Sequence, residues 1–320
     1  MANIPRQHHY VPQVLLAGFT ASGTKTGRLH ILDLVRRKTY PSTPEETAKE
    51  KDYNLIEVEG VDPLAIESGL LATEIEGPAG PALEKVRNGG VPTDDDRVRL
   101  LSFMAMQELR GPSRREAFDD FTTRVMRRVM DVVTASEEIF EAQKQKHPEL
   151  AGISREEALD WAKHTKVQNS PTGHLQVQLP SFGPILDLLA KRSWTVLIAP
   201  RGTDFVCTDN PVAIIPAGTR PVEAPRGFAS ADAPVVMPVG RQHALLGTWP
   251  LDGDEPTWHG MNADTRTVAM MNTCIIFGAR RFIASPTDDF IWLRGSGAVA
   301  GRAALFEFLK GPASARSSGA

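Results

Sequence analysis

The first residues of the chain carry side chains that could do acid–base chemistry. His8, His9 and Tyr10 come shortly before an apolar run over residues 14–19. An imidazole titrates near neutral pH, so His9, or His8 in its place, could act as a general acid or base, with Tyr10 contacting the substrate. Neighbouring residues of an extended segment point to opposite sides, so the two histidines are not expected to bind one metal. The alternative is a pair of structural or surface histidines.

A helix in the middle of the chain could supply anion-binding groups. Gln107, Arg110 and Arg114 have the i, i+3, i+7 spacing that places side chains on one helix face. A guanidinium presents a planar set of donors that suits a phosphate or a carboxylate. Gln107 and Arg110 lie just before Gly111-Pro112, where the helix is predicted to end or kink, and they are the candidates for substrate binding. The alternative is a solvated helix face.

A carboxylate follows a predicted strand in the last third of the chain. Thr208-Asp209-Asn210-Pro211 comes at the end of the strand predicted over residues 205–208. Side chains at strand ends are often held rigidly enough for chemistry, which makes Asp209 a catalytic candidate and Asn210 a substrate-binding candidate. The proline favours a tight turn, because it forces the residue before it out of helical geometry. The alternative is a simple turn in which the aspartate bonds its own backbone.

Two further side chains have a chemical and a structural interpretation. Asn262 lies at or just after the start of a helix predicted from Met261, so it either contacts the substrate or caps that helix. Cys207 alternates with Phe205 in a predicted strand, and we expect it to pack as a small apolar residue rather than to act as a nucleophile.

The amino-acid composition is that of an ordinary globular protein. The 320 residues have a formal net charge of -3, with 41% hydrophobic and 23% charged residues, which is typical of a globular protein. The charge argues against broad electrostatic binding to nucleic acid, although a local basic groove would fit. Two cysteines form neither a disulfide framework nor a zinc motif, so a reducing cytoplasm is expected. The sequence has no secretory signal and no apolar run near the ~20 residues that span a membrane.

Hydrophobic periodicity predicts an α+β fold. Helices dominate the first two thirds, and a mixed or antiparallel sheet is formed largely by the last third. No glycine-rich phosphate loop follows a predicted strand, so the sequence lacks the signature of a Rossmann or P-loop protein. The predicted strands lie at residues 29–34, 38–40, 194–198, 205–208, 235–238, 244–247 and 274–277. The predicted helices lie at 66–88, divided in two by Gly77-Pro78 and Gly80-Pro81, and at 93–110, 113–132, 154–161, 182–191, 261–272 and 299–309, with a short helix or turn at 14–19.

We expect a single domain over residues 1–312. Its helical part lies at about 60–192 and its strand-rich part at about 193–312, with residues 1–20 folded back into the body. Residues 313–320 are small and polar, and we predict that they form a disordered tail.

Several segments resemble a bacterial domain-of-unknown-function family, number 4238. His8-His9-Tyr10-Val11-Pro12-Gln13 resembles its opening HYVP motif, Gln107 to Pro112 its Q-x-x-R-x-P segment, Phe205 to Val212 its T-S-D-x-P segment, and residues 236–239 and 262–276 its closing part. Cys207 stands where serine is usual, which weakens any role assigned to that position. The resemblance implies no particular reaction. It implies that His9, Gln107, Arg110, Asp209 and Asn262 belong together.

The leading hypothesis is a cytoplasmic bacterial enzyme, a nuclease-like or phosphoesterase-like hydrolase or a transferase, acting on a nucleotide or nucleic acid. His9, or His8, would be the general acid or base, and Asp209 would orient it or bind a divalent metal. Arg110 would hold the anionic group, positioned by Gln107 and Asn262.

Two other functions remain open. The same residues could form a structural polar network in a non-catalytic binding or regulatory module. The protein could also be an enzyme that modifies a metabolite without phosphate. The sequence leaves the substrate, metal use and oligomeric state undetermined.

Overall fold

The start of the described chain is fixed into the body by its backbone and by its side chains. The computed structural model describes residues 6–215, 227–251 and 253–310, so the predicted tail lies outside the described residues. Strand β1 (Gln7–His9) pairs antiparallel with β4 (Lys49–Lys51), and helix α1 (Gln13–Ala17) follows Pro12. Val11, Leu15, Leu16 and Phe19 are fully buried. These apolar side chains therefore tie the segment into the hydrophobic core.

A four-stranded antiparallel sheet joins distant parts of the sequence. Its strands lie in the order β3 (Lys38–Ser42), β2 (Leu29–Asp33), β11 (Phe282–Ser285) and β6 (Cys207–Thr208). Ile283 is opposite both Leu32 and Thr208, so β11 is the centre of this sheet. Through β11, the N-terminal strands contact the segment that carries Asp209.

A second sheet has five strands from the last part of the chain. Their order is β10 (Trp258–Asn262), β5 (Ser193–Ile198), β9 (His243–Thr248), β8 (Val235–Gly240) and β7 (Ala213–Ile214). β10 and β5 are parallel and the other pairs are antiparallel, so this is a mixed sheet. All six residues of β8 are buried, whereas most of the edge strand β10 is exposed. A short hairpin of β12 (Trp292–Leu293) and β13 (Val299–Ala300) lies apart from it.

The helical part begins with an unusual element. Ala65–Glu76 is a π-helix that leads into α2 (Gly77–Arg87), and the Gly77 N–H donates to the carbonyl of Ala72, five residues earlier. A β-carbon at position 77 would lie 2.8 Å from that oxygen, so the wide turn requires glycine there. The other helices are α3 (Asp94–Arg110), α4 (Pro112–Val133), α5 (Glu137–Lys146), α6 (Arg155–His164), α7 (Pro171–Gln178), α8 (Phe182–Ala190), α9 (Thr265–Gly278) and α10 (Arg302–Lys310).

The α+β prediction is confirmed, and so are two predicted helix starts. Thr93 caps α3 in a reciprocal bond with Asp96, and Ser154 caps α6 in the same way with Glu157. In the part of the chain that the structure covers, no helix is long and apolar enough to cross a membrane.

Several predicted elements are wrong. The helix predicted from residue 113 begins one residue earlier, because Pro112 takes the first helical position and Gly111 is the cap. The strand predicted over residues 274–277 is part of α9, because a short apolar run does not distinguish a strand from a buried helix. Asn262 ends strand β10 instead of starting a helix, and Asp264 caps α9.

Candidate functional site

His8 is a buried link between two segments. Its side chain is fully buried, and Nδ1 accepts a hydrogen bond of 2.9 Å from the backbone N–H of Asn54. A ring nitrogen that accepts carries no proton, so this bond defines a neutral imidazole with its hydrogen on Nε2. His8 thus holds β1 against the segment that leads into the π-helix.

A chain of polar contacts continues from Asn54. Its Nδ2 donates to Glu67 at 2.7 Å, and its Oδ1 accepts from Arg115 at 3.0 Å. Arg115 also donates to the carbonyl of Tyr53 and lies 3.4 Å over the Tyr53 ring. Burial lowers the pKa of Arg115 below its ordinary value, although a guanidinium remains charged at any physiological pH.

Gln107 and Arg110 belong to the same buried network. Arg110 is buried and donates to Glu76 at 2.7 Å. With its amide oxygen facing the guanidinium, Gln107 accepts from Arg110 at 3.0 and 2.8 Å. Tyr53 adds a bond from its hydroxyl to the Arg110 carbonyl at 2.8 Å. The donors of Arg110 are therefore engaged with protein groups.

His9 points away from His8, as expected for neighbours in a strand. It is half-buried, and its Nε2 lies 3.2 Å from the carbonyl of Glu45 and 3.4 Å from the Gln13 amide. Burial lowers the pKa of His9, while the Glu45 carbonyl and the charges of Glu67 and Glu76 act in the opposite direction. The net lowering favours a neutral ring at pH 7.

Tyr10 packs between the N-terminal segment and β11. Its ring centroid is 5.5 Å from that of Tyr53 and 6.5 Å from that of Phe282. The guanidinium of Arg281 lies 5.0 Å over the Tyr10 ring and also pairs with Glu50. Burial raises the pKa of Tyr10 to about 12, so the hydroxyl stays protonated.

Asp209 binds the backbone between α9 and β11. The carboxylate is fully buried and accepts from the N–H groups of Arg280 at 3.1 Å, Arg281 at 3.0 Å and Phe282 at 3.2 Å. The Asn210 amide donates a further bond of 3.0 Å. Burial raises the pKa of Asp209 above its ordinary value, while these backbone bonds act in the opposite direction. Its hydrogen bonds thus close a turn, and none of them goes to an imidazole.

Asn210 joins two helix ends. Its Oδ1 accepts from the Ser113 hydroxyl at 2.6 Å, at the start of α4, and its Nδ2 donates to the carbonyl of Gly278 at 2.9 Å, at the end of α9. A β-carbon on Gly111 would lie 2.7 Å from that Oδ1, which explains the glycine at this close approach.

The predicted site residues are therefore divided among different places. His8, Gln107 and Arg110 share one buried network through Asn54, Tyr53 and Arg115. Asp209 and Asn210 lie in the turn beside it, which Tyr10 reaches through Phe282. Asn262 is exposed on the edge strand of the other sheet, where it pairs with Ile198. His9 bonds to Glu45 and Gln13, so the predicted contact between His9 and Asp209 is not formed.

Next to Asn210 is a cavity of about 650 Å³ that the sequence did not reveal. Its walls come from the starts of α4 and β7, one side of α9, and the turn between β12 and β13. Most of the wall is apolar, and Val212, Ile214, Phe277 and Leu293 supply the larger apolar side chains. The exposure of Phe277 is 41%, and its ring also contacts those of Trp292 and Phe308 edge-on. This exposure is a property of the folded chain, and the apolar run that contains Phe277 was assigned to a strand, so no sequence signal pointed to the cavity.

A few polar groups line the same cavity. Glu108 is mostly buried and pairs with half-exposed Arg114, and burial raises the pKa of Glu108. The guanidinium of Arg294 has no ion-pair or hydrogen-bond partner among the described residues. Burial raises the pKa of the Cys274 thiol to about 11, which leaves it neutral and poorly nucleophilic.

The described part of the chain contains no cluster of potential metal ligands, and its two cysteines are free thiols. Burial raises the pKa of Cys207 as well. Within residues 6–215, 227–251 and 253–310, no group of three or more His, Cys, Asp or Glu side chains is arranged to hold a metal ion.

Comparison with known proteins places the chain in a family. No curated protein and no solved structure matches it. One family model, described as a protein of unknown function (DUF4238), matches residues 7–289. This match confirms the resemblance drawn from the HYVP and Q-x-x-R-x-P segments. Because it covers most of the sequence, the chain belongs to the DUF4238 family.

Proposed function

We propose that this protein binds a small amphipathic anion in the cavity between α4, α9 and the β12–β13 turn. The observation that carries the proposal is the combination of a volume of about 650 Å³ with apolar walls and the Arg294 guanidinium, which has no partner among the residues that the structure describes. Sites for small molecules are concave and mostly apolar, with volumes of roughly 300–1,000 Å³ and a few polar groups that orient the ligand.

The charges of the lining define the expected ligand. Glu108 and Arg114 neutralise each other, which leaves the positive charge of Arg294 on the turn between β12 and β13. A ligand with a carboxylate or sulfonate at one end could bind Arg294 and place its apolar body against Phe277 and Ile214. Aromatic acids and medium-chain fatty acids have this chemistry and size.

The buried network of His8, Asn54 and Arg110 supports a structural role for the predicted polar cluster. Its hydrogen bonds join these residues to neighbouring side chains of the network, to Glu67 and Glu76, and to backbone atoms, which leaves few groups to contact a substrate. A binding module with a structural cluster was one of the alternatives drawn from the sequence, and in this proposal the cavity is its binding site.

The test is a titration with 8-anilinonaphthalene-1-sulfonate followed by fluorescence, with decanoate and decan-1-ol as competitors. Gly278→Phe should abolish binding, because a β-carbon at this cavity residue meets no atom within 4 Å and the ring can fill the space. Gly183→Phe is the matched control on α8, since its β-carbon also meets nothing. Arg294→Gln should weaken decanoate about tenfold and leave decan-1-ol unchanged.

Two results would refute this function. One is equal probe binding by wild type, Gly278→Phe and Gly183→Phe, which would place the dye elsewhere. The other is the absence of saturable binding by wild type. If decan-1-ol competed as well as decanoate and Arg294→Gln had no effect, the cavity would bind apolar chains without any preference for an anionic group.

A nuclease-like or phosphoesterase-like enzyme is the second candidate, and His9 is the observation that favours it. His9 is half-buried, and its lowered pKa favours a neutral ring that can accept a proton. A divalent metal could be required, so nucleotides and nucleic acids should be assayed with and without Mg²⁺ or Mn²⁺. Turnover that is lost in His9→Ala would support this candidate, and the absence of turnover would dismiss it.

The cellular setting is part of the proposal too. Two free thiols suit the reducing cytoplasm of a bacterium. Localisation of a tagged chain after cell fractionation would test this placement.

A further inference from the structure

Helix α4 turns an apolar stripe toward solvent. Phe121, Val125, Val129 and Val132 are 54%, 44%, 54% and 65% exposed. Their i, i+4, i+8, i+11 spacing puts all four on one face of the helix, over about 16 Å of its length. Contiguous apolar patches are uncommon on the surface of a monomer and mark interaction sites.

The opposite face of α4 is fully engaged with the rest of the protein. Thr123 is buried and accepts a hydrogen bond from the Val167 N–H at 2.9 Å. Arg127 donates to the carbonyls of Ala162 at 3.1 Å and Lys163 at 3.0 Å, at the end of α6. The orientation of α4 is therefore fixed, and the stripe cannot rotate inward without breaking these bonds.

Two arginines border the stripe. Arg124 has no hydrogen bond or ion pair within the described ranges. Arg128 lies 3.9 Å from Asp131, and both side chains are largely exposed, so this pair is weak. Together with Phe121, Val125, Arg127 and Asp131 they line a shallow hollow of about 420 Å³, in which three arginines outnumber one aspartate. The border of the stripe thus offers positive charge to a partner.

We propose that this stripe docks an acidic amphipathic helix of another protein. Its apolar residues would pack on Phe121, Val125 and Val129, and its Asp or Glu residues would lie opposite Arg124 and Arg128. A straight stripe about three turns long suits a helix better than an extended peptide, because a docked amphipathic helix contacts its binding surface through its own side chains at i, i+3, i+4 and i+7. The proposal is independent of the cavity and of its ligand.

A second copy of this chain fits the stripe less well. The charges beside it run Asp120, Arg124, Arg128, Asp131 along the helix. The order of charges, acid–base–base–acid, is the same in both directions along the helix. In an antiparallel dimer centred on the stripe, Arg124 of one copy would therefore lie opposite Arg128 of the other. Like charges in contact oppose such a dimer.

Anionic membranes and nucleic acids also fit less well. α5 begins just beyond the stripe with the exposed acids Glu137 and Glu138, which would repel anionic lipid headgroups. A nucleic-acid backbone would pair with the arginines but leave the valines without an apolar partner.

The test measures fluorescence anisotropy of a labelled helical peptide of about 18 residues, with Leu along one face and Glu along its borders. A matched peptide carries Lys in place of Glu. We expect wild-type protein to bind the Glu peptide at least tenfold more tightly than the Lys peptide. The double variant Arg124→Glu/Arg128→Glu should reverse this preference. Val125→Ser/Val129→Ser should weaken binding of both peptides, and all these positions are exposed, so thermal melts should match wild type.

Several outcomes would overturn the proposal. One is no binding of the Glu peptide, or equal affinity for the two peptides. Another is a monomer–dimer equilibrium, measured by light scattering, in which Val125→Ser weakens the dimer. That result would assign the stripe to a second copy of the chain. A third is that the protein binds phosphatidylglycerol vesicles or duplex DNA more strongly than the Glu peptide, and that Arg124→Glu/Arg128→Glu abolishes this binding. The stripe would then be assigned to an anionic membrane or to nucleic acid, respectively.

Discussion

The Nδ1 atom of His8 accepts a hydrogen bond of 2.9 Å from the backbone N–H of Asn54. This bond connects the opening motif of the family to the segment that enters the π-helix. Both residues are fully buried, so the bond is shielded from water. His8 therefore acts in this fold as an acceptor for a backbone donor that would otherwise be buried without a partner.

Replacing His8 should cost stability, and replacing His9 should cost much less. His8→Ala leaves the Asn54 N–H unsatisfied and opens space in the core, for an expected loss of about 2–3 kcal/mol in the free energy of unfolding. His9→Ala removes a half-buried ring with long contacts and should cost under about 1 kcal/mol. Urea denaturation of the two variants checks this, and equal losses would contradict the structural role of His8.

Asp209 should contribute more to stability than an exposed aspartate that makes the same type of bond. Asp209→Ala leaves three backbone N–H groups without an acceptor, one buried at Phe282 and two part-buried at Arg280 and Arg281, and we expect a loss of about 3 kcal/mol. Asp264→Ala is the matched control, because Asp264 accepts from the Thr267 N–H at an exposed helix start. Its loss should be about 1 kcal/mol. Similar losses for the two variants would mean that burial does not strengthen the Asp209 turn.

Local signals predicted some elements well because the determining groups are adjacent in sequence. Thr93 and Asp96 satisfy each other within one helical turn, so the start of α3 could be read directly. The π-helix before Gly77 could not be read in this way, since apolar spacing does not distinguish it from an α-helix. Residues 274–277 are buried on one side by contacts from distant segments, and this packing decides between helix and strand.

The candidate site was predictable only in part for the same reason. The polar motif at His8 and Tyr10 indicated a segment tied into the body, and burial of both side chains agrees with that expectation. The cavity requires α4, α9 and the β12–β13 hairpin to meet, and each contributes only three or four residues. No local pattern in the sequence identifies Arg294 as part of the cavity wall, because only the folded chain brings it there.

Protonation of His174 should reduce stability in mild acid. His174 is buried, its Nδ1 has no partner among the described residues, and burial lowers its pKa below the ordinary value of 6.5. A lowered pKa in the folded state means that the unfolded chain binds the proton first. The contribution is therefore full above about pH 6.5 and is lost as the pH falls toward the folded-state pKa.

The measurement for His174 is the free energy of unfolding between about pH 7.5 and pH 5.5. His174→Leu should flatten the pH dependence relative to wild type, since each differential proton is worth up to about 1.4 kcal/mol per pH unit. Asp119 keeps its bonds from the Asn169 side chain at 2.7 Å and backbone at 3.0 Å in that variant. His147→Leu, at an exposed ring, is the control and should leave the slope unchanged. An unchanged slope in His174→Leu would refute the assignment.

The Glu108–Arg114 pair should produce the opposite pH dependence once it is broken. Burial already raises the pKa of Glu108, and Arg114 opposes that rise. Arg114→Met removes the opposing charge, so the folded-state pKa of Glu108 should rise further. A raised carboxyl pKa gives stability below the unfolded value of about 4.5 that is lost as the pH rises through the folded value. Arg114→Met should therefore lose stability relative to wild type as the pH increases from about 5 to 8.

The expected loss is about 1–2 kcal/mol at the upper end of that range, less than for a fully buried pair because Arg114 is half-exposed. The second variant, Glu108→Gln, has no carboxylate to bury. Arg114→Met introduced into Glu108→Gln should show no growth of the loss with pH, and the double-mutant cycle isolates the pair. A pH-dependent loss that persists in the Glu108→Gln background would show that Arg114 acts through another group, and the charge balance of the cavity wall would need to be reassigned.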